Sequence, residues 1–144
     1  MPTIVSDLMS RTLYTLKESD DLGMARALLL HRKIRHLPVV RAGRLVGLIT
    51  SQSLVRAEAE VGTARSSTRS VADAMVRKIR TARPRLPLRR AAKTMIEEQI
   101  GCLPVVEADG TLVGILTDTD LVRFAADAAR DLDEIGRAIC RAAE

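Results

Sequence analysis

The sequence is written twice. Val5-Ser-Asp-Leu-Met9 returns as Val71-Ala-Asp-Ala-Met75, a shift of 66 residues. At that shift Arg11 meets Arg77, Thr15 meets Thr81, Leu22 meets Leu88 and Ala25 meets Ala91. Ile34-Arg-His-Leu-Pro-Val-Val40 meets Ile100-Gly-Cys-Leu-Pro-Val-Val106. The second copy then gains one residue around Ala108-Asp109-Gly110. With the shift now 67, Leu45-Val-Gly-Leu-Ile-Thr50 meets Leu112-Val-Gly-Ile-Leu-Thr117, and Leu54-Val-Arg56 meets Leu121-Val-Arg123. A unit of roughly 55–60 residues buries too little surface to be secure alone, so two like units are expected to share a core.

The apolar pattern of one copy predicts strand, helix, strand, strand, helix. Ser6 is placed to cap a short helical turn that contains Met9. Leu13–Leu16 reads as a short strand. Ser19 or Asp20 is placed to cap a helix with Leu22, Ala25, Leu28 and Leu29 on one face. Leu37–Val40 and Leu45–Ile49 read as an antiparallel pair about the Ala42-Gly43 turn, with Pro38 near a strand start or edge. Ser51 is then placed to cap a second helix. The later copy repeats this order: strand Arg80–Ala82, helix Leu88–Glu97, strands Leu103–Val106 and Leu112–Leu116, and a helix from Asp118.

The expected organisation is a first repeat over residues 1–60, a linker at 61–70, a second repeat over 71–126 and a helical extension over 127–144. The linker is rich in Gly, Ser and Thr and reads as loop. The fold class expected is α/β (α+β), with two pseudo-twofold-related β-α-β-β-α repeats packed sheet to sheet. Leu121, Ala125, Ala128, Leu132, Ile135 and Ile139 make a stripe at intervals of three and four. It lies either on the chain's own domain or against another subunit.

With one Tyr, one Phe and no Trp among 144 residues, the core has to be aliphatic. No apolar run reaches the roughly 18–20 residues that span a bilayer, and the N-terminus lacks a signal-peptide pattern. The cytoplasm is the expected compartment. Cys102 and Cys140 form no disulfide framework and are expected as buried thiols. His31 and His36 cannot share a helix face well, so no metal centre and no catalytic dyad is expected. Eight cations and no acid lie between Arg77 and Lys93. Such a stretch attracts phosphate or nucleic acid, but the aromatic platforms of single-strand binding are missing. Nucleic acid is the least favoured partner, and the stretch also reads as a plain solvated face.

The chemistry concentrates in Gly114-Ile-Leu-Thr-Asp-Thr-Asp120. Here a strand runs into a helix start whose free backbone N–H groups suit an anion. A Thr hydroxyl can donate to phosphate, and a carboxylate three residues on can accept from both hydroxyls of a ribose. Thr-x-x-Asp is equally an ordinary capping pattern, and what raises its interest is the related stretch in the first copy.

The doubled pattern resembles the CBS domain pair, named after cystathionine beta-synthase. The resemblance runs from Val5 to about Ala125. It rests on Asp-hydrophobic-Met, hydrophobic-Pro-Val-Val, Gly-hydrophobic-hydrophobic-Thr-x-x-Asp and Leu-Val, in that order, twice. It implies a disk-like module with two clefts between the copies, and commonly a dimer. It also implies an adenosine ligand: AMP, ADP or ATP, with S-adenosylmethionine less favoured here, and no required cofactor. Such pairs regulate enzymes, channels or transporters. With nothing else attached, this chain is expected to be a stand-alone pair acting on itself or on a regulated enzyme or transporter on a separate chain.

By this resemblance Asp120 holds the ribose diol, with Asp118 as a cap beside it, and Thr117 contacts phosphate. Backbone around Arg80-Thr81-Ala82 and Cys102-Leu103-Pro104 encloses the adenine. Arg35 and His36 reach across from the first copy to phosphate, as basic residues do in the gamma subunit of AMP-activated protein kinase, and Arg123 is a further candidate. The weaker second site comprises Thr15, Leu37, Pro38, Thr50 and Ser53. Ser53 stands where a carboxylate is expected. Replacing a charged acceptor by a neutral one costs on the order of 1 kcal/mol, nearly tenfold in affinity. No catalytic residue is expected. The alternative to a nucleotide sensor is a ligand-free pair used for dimerisation.

Overall fold

The structure is a computed structural model, and it describes residues 2–143. Helix α1 (Val5–Leu8) and helix α2 (Leu22–Arg32) precede a hairpin of β1 (His36–Arg41) and β2 (Arg44–Thr50). Helix α3 (Ser51–Val61) leads through a helical turn, α4 (Thr63–Ser66), into the second copy. There α5 (Val71–Ala74), α6 (Leu88–Glu98), β3 (Cys102–Val106), β4 (Leu112–Thr117) and α7 (Asp118–Ala143) repeat the order. The stretch expected as a loop linker is thus helical at both ends of Gly62, whose φ of +81° supplies the break.

Each copy carries a two-stranded antiparallel sheet, not three strands. Leu13–Leu16 and Arg80–Ala82 contribute only one parallel bridge each, Leu16 to Val39 and Ala82 to Val105. The prolines explain this. Leu16 donates to the Pro38 carbonyl and accepts from Val40, both at 2.9 Å. The next ladder bond toward the N-terminus needs a donor at Pro38, and proline has no N–H. Ala82 donates to Pro104 and accepts from Val106 in the same way, again at 2.9 Å. Both ladders stop at one rung, which leaves the segments before Leu16 and Ala82 outside the sheets.

The caps also fall one or two residues from their expected places. The backbone N–H of Ile4 donates to Asp7, so α1 starts before Ser6. Asp21, not Ser19 or Asp20, accepts from the Met24 N–H at 2.8 Å, while Asp20 accepts from Lys17. Thr50, not Ser51, caps α3.

The copies are interlocked by exchange of their first helices. Val5 and Met9 lie in a core with Leu88, Ala91, Leu103 and Leu116 of the second copy. Val71 and Met75 lie in the other core with Leu22, Ala25, Leu37 and Ile49 of the first. Reciprocal hydrogen bonds fix the exchange: Ser10 with Ile115 at 2.9 and 3.1 Å, and Leu48 with Val76 at 2.9 Å each way. The hairpin tips join similarly, Leu45 N–H to Gly110 O at 3.1 Å and Leu112 N–H to Gly43 O at 3.0 Å. These matched pairs are the pseudo-twofold relation in hydrogen-bond form.

The exchange also accounts for two glycines. A Cβ on Gly114 would come within 2.9 Å of Met9 Cγ and 3.1 Å of the Ser10 carbonyl oxygen. A Cβ on Gly47 would come within 2.8 Å of Met75 Cγ. Each Asp-hydrophobic-Met motif therefore lies on the glycine of the other copy's Gly-hydrophobic-hydrophobic-Thr motif.

Candidate functional site

Two clefts flank the pseudo-twofold axis. Each is made by the loop residues of one copy and the strand-to-helix turn of the other. The first has a volume of about 360 Å³, and the second about 370 Å³.

In the first cleft Thr12, Leu13 and Tyr14 face the turn Thr117–Asp120, with Ile34, Arg35 and His36 between them. The proline effect builds this wall. Because Pro38 cannot extend the ladder to Tyr14, the Thr12–Tyr14 backbone is left as cleft lining. At the opposite side Asp118 N–H donates to the Gly101 carbonyl at 3.0 Å and starts α7. Thr117 and Asp120 form a reciprocal cap. Asp120 Oδ2 accepts from the Thr117 N–H at 2.8 Å and from its hydroxyl at 3.1 Å, and the Asp120 N–H donates back at 3.4 Å. Asp120 Oδ1 has no protein partner among the described residues, and the residue is half-buried at the cleft wall.

The second cleft is the pseudo-symmetric counterpart. Lys78, Ile79 and Arg80 replace Thr12, Leu13 and Tyr14, and Thr50, Ser51 and Gln52 replace the Thr117–Thr119 turn. Ser53 is buried at 6% exposure and does not line this cleft. Its hydroxyl is taken up by Thr50, accepting from the backbone N–H at 3.2 Å and lying 3.1 Å from Thr50 Oγ1.

Arg35, His36 and Asp118 line both clefts. Arg35 Nη2 pairs with Asp118 Oδ1 at 3.0 Å, which bridges the copies. Both side chains are about half exposed or more, so the pair adds ~0–1 kcal/mol to stability. Burial holds the His36 imidazole below its usual pKa, and the Arg35 charge adds to this, while Asp118 opposes it. His36 is therefore neutral at pH 7. Burial, with the Asp118 charge adding, pushes the Cys102 thiol up to about 12, so it stays protonated. Cys140, expected buried, is exposed.

The structure regroups the sequence-predicted residues. Asp120, Asp118, Thr117, Arg35 and His36 do come together. The adenine wall expected for them does not: Arg80 and Cys102 line the second cleft, opposite Thr50. Thr81 is exposed, while Ala82, Leu103 and Pro104 are buried in the core, and none lines either cleft. Arg123 and Thr15 are exposed outside both clefts. Of the weaker set, Pro38 lines the first cleft, Thr50 the second, and Leu37 is fully buried. The basic run is also divided. Lys78 and Arg80 enter the second cleft, with Arg80 paired to Glu98 at 2.8 Å, and Lys93 pairs with Glu97 at 3.8 Å.

Sequence reasoning missed Lys33, which lines the first cleft from a left-handed backbone position with φ of +53°. Its repeat counterpart Gln99, at φ of +54°, lines the second. The shift of 66 relates them, and two residues at one helix end in both copies were the available signal. Tyr14 was missed too; its ring carries the Arg32 guanidinium 4.8 Å above it.

Two interlocked repeats with paired clefts define a tandem two-cleft module, and comparison with known proteins agrees. The CBS domain family matches twice, over residues 5–60 and 71–127. The chain belongs to the CBS domain family. It is similar to the AcuB protein of Vibrio cholerae, with 30% identity and a TM-score of 0.84, covering 93% of this chain and 98% of that one. It is similar to CBSX2 in complex with AMP, with 31% identity and a TM-score of 0.78, covering 88% and 98%. It is also similar to the CBS domain pair of protein MJ0100 in complex with 5′-methylthioadenosine and S-adenosyl-L-methionine, with 29% identity and a TM-score of 0.79, covering 89% and 99%.

Among curated sequences it is 32% identical to a homoserine O-acetyltransferase of Methanohalobium evestigatum, over 85% of this chain and 24% of that protein. It is 32% identical to an inosine-5′-monophosphate dehydrogenase of Thermoplasma acidophilum, over 86% of this chain and 24% of that protein. The chain thus spans about a quarter of these enzymes. Among its described residues no helix is long and apolar enough to cross a membrane.

Proposed function

We propose that this chain is a regulatory module that binds an adenosine nucleotide, AMP, ADP or ATP, in the first cleft. One observation carries the reading: Asp120 holds its own helix start with one carboxylate oxygen and leaves the other without a protein partner at a cleft wall. A carboxylate so held is preorganised to accept from a ribose diol. The opposite wall, Thr12–Tyr14 with Ile34, offers apolar surface and backbone outside the ladder, which suits a purine. Lys33 and the Arg35 guanidinium supply positive charge for phosphate, Arg35 after leaving Asp118. The chain supplies binding and no catalytic group. Occupancy is passed to a second copy or to an enzyme or transporter on a separate chain, since a ligand that prefers one angle between the copies shifts their balance.

Thermal unfolding with and without AMP or ATP tests this. A ligand at a hundred times its Kd adds about 2.7 kcal/mol to stability, so the melting temperature should climb. Asp120→Asn keeps a polar cap and, with affinity down about tenfold, should lose about half of the shift. Equal shifts in both proteins would remove Asp120 from the site, and no shift with any adenosine ligand would leave the ligand-free dimerisation module as the better reading.

A further inference from the structure

The last helix leaves the body of the molecule. From residue 127 to 143 every position of α7 is exposed except Ala128, which is half-buried. Leu132 is 69% exposed, Ile135 55% and Ile139 65%. Leu121, at its start, packs on the second core, but from Ala125 onward the apolar stripe does not lie on the chain's own domain. Most helical stability in proteins comes from tertiary packing of an amphipathic face, and an apolar stripe left exposed on a helix is a docking face.

The spacing says what kind of partner fits. From Leu121 to Ala142 the stripe runs 4-3-4-3-4-3, the heptad interval of a helix that winds about another helix. Leu121, Ala128, Ile135 and Ala142 take one seam position, and Ala125, Leu132 and Ile139 the other. Seven of the eight charged residues from 121 to 143 lie on the outer three positions. The flanking positions are Val122, Phe124, Ala129, Gly136, Ala138 and Ala143, small or apolar, with Asp131 as the one charge. The face is too wide and too free of charge for solvent.

We propose that α7 pairs in antiparallel orientation with α7 of a second copy of this chain, about a twofold axis at residue 130. The seam is self-complementary in that register. Ala125 meets Ile135 of the second chain and Ala128 meets Leu132, while Leu121 stays packed on its own core. Both layers nearest the axis then set a small residue against a large one, which keeps the helices evenly spaced. A parallel pair instead stacks Ala on Ala in two layers and Leu or Ile on themselves in the next three, so the helices splay. Antiparallel pairing also lays the basic last turn, with Arg141, beside the acidic first turn, with Asp118 and Asp120. The proposal does not depend on the ligand reading.

Sedimentation of the full chain, with the native Cys140 spin-labelled in parallel, tests it; Cys102 is buried and stays unlabelled. A dimer is expected, and Leu132→Glu, at an exposed position that leaves the body folded, should make it a monomer that still unfolds cooperatively. Ten residues from the axis, two Cys140 labels lie about 30 Å apart along the helices. In a parallel pair they share one height and are separated only by the width of two helices, about 20–24 Å. Asp131 faces its own copy across the antiparallel axis, so Asp131→Ala should tighten the dimer; opposite Gly136 in a parallel pair it would do nothing. A monomeric wild type, a dimer indifferent to Leu132→Glu, the shorter label distance, or a dissociation constant unmoved by Asp131→Ala would each overturn the proposal.

Discussion

The two clefts share a backbone plan and differ in chemistry. The repeat supplies the same turns and helix starts to both and keeps Thr50 with Thr117 and Ile34 with Ile100, but other matched side chains diverge. Arg35 faces Gly101, His36 faces Cys102, Asp118 faces Ser51 and Asp120 faces Ser53 across the axis. The first cleft balances Lys33 and Arg35 against Asp118 and Asp120. The second gathers Arg35, Lys78 and Arg80 against Asp118 alone. The repeat thus shares the shape and divides the charge, with the unpartnered carboxylate on one side of the axis and the excess of cations on the other.

The largest expected effect concerns what the copies share. Gly114→Val and Gly47→Val each drive a side chain into the exchanged Met segment, and overpacking of this kind costs about 1–3 kcal/mol. Denaturant titration should show both variants destabilised to a similar degree, because the interlock is symmetric. If one tolerated the change freely, the exchanged helices would not be equivalent.

Next comes the difference itself. Ser53→Asp copies the Thr117–Asp120 cap onto Thr50, so that a carboxylate stands in the first turn of α3 as one does in the first turn of α7. Calorimetry should then detect a second adenosine-nucleotide site strengthened by about tenfold over its wild-type affinity. Unchanged binding there would mean that the acid at this position is not what separates the clefts.

A smaller effect is expected from pH. The His36 pKa is lowered on folding, so the unfolded chain takes up the proton first. The sign follows: stability is unaffected above the unfolded value of about 6.5 and declines as pH falls through it. His36→Gln should flatten that decline in thermal melts between pH 7.5 and 5. A bound phosphate group offsets the cost of protonation, so the decline should also shrink with nucleotide present. The smallest effect is that of Arg35→Gln on stability without ligand, about 0–1 kcal/mol because the pair with Asp118 is exposed.

Much of this was legible in the residues. The repeat, both hairpins, both long helices and the Thr117–Asp120 cap follow from alternation, turn residues and cap chemistry. The exchange of α1 and α5 was not, because a repeat reveals likeness and not which copy packs on which. The same gap set Arg80–Ala82 beside Asp120, whereas Asp120 shares its cleft with Thr12–Tyr14 of the other copy. Pro38 and Pro104 carried a sharper signal than their reading as edge residues. Each removes the one donor that a third strand needs, and so opens a cleft where a strand was expected. The fate of the stripe on α7 depended on whether it turned back onto the body, and periodicity alone does not say.

The most direct test is calorimetric titration of the wild-type chain and Asp120→Asn with AMP and ATP. The account predicts one dominant site per chain for at least one of them, with affinity reduced by about tenfold when the carboxylate is lost. Two equal sites per chain, or a dominant site that Asp120→Asn leaves untouched, would contradict it.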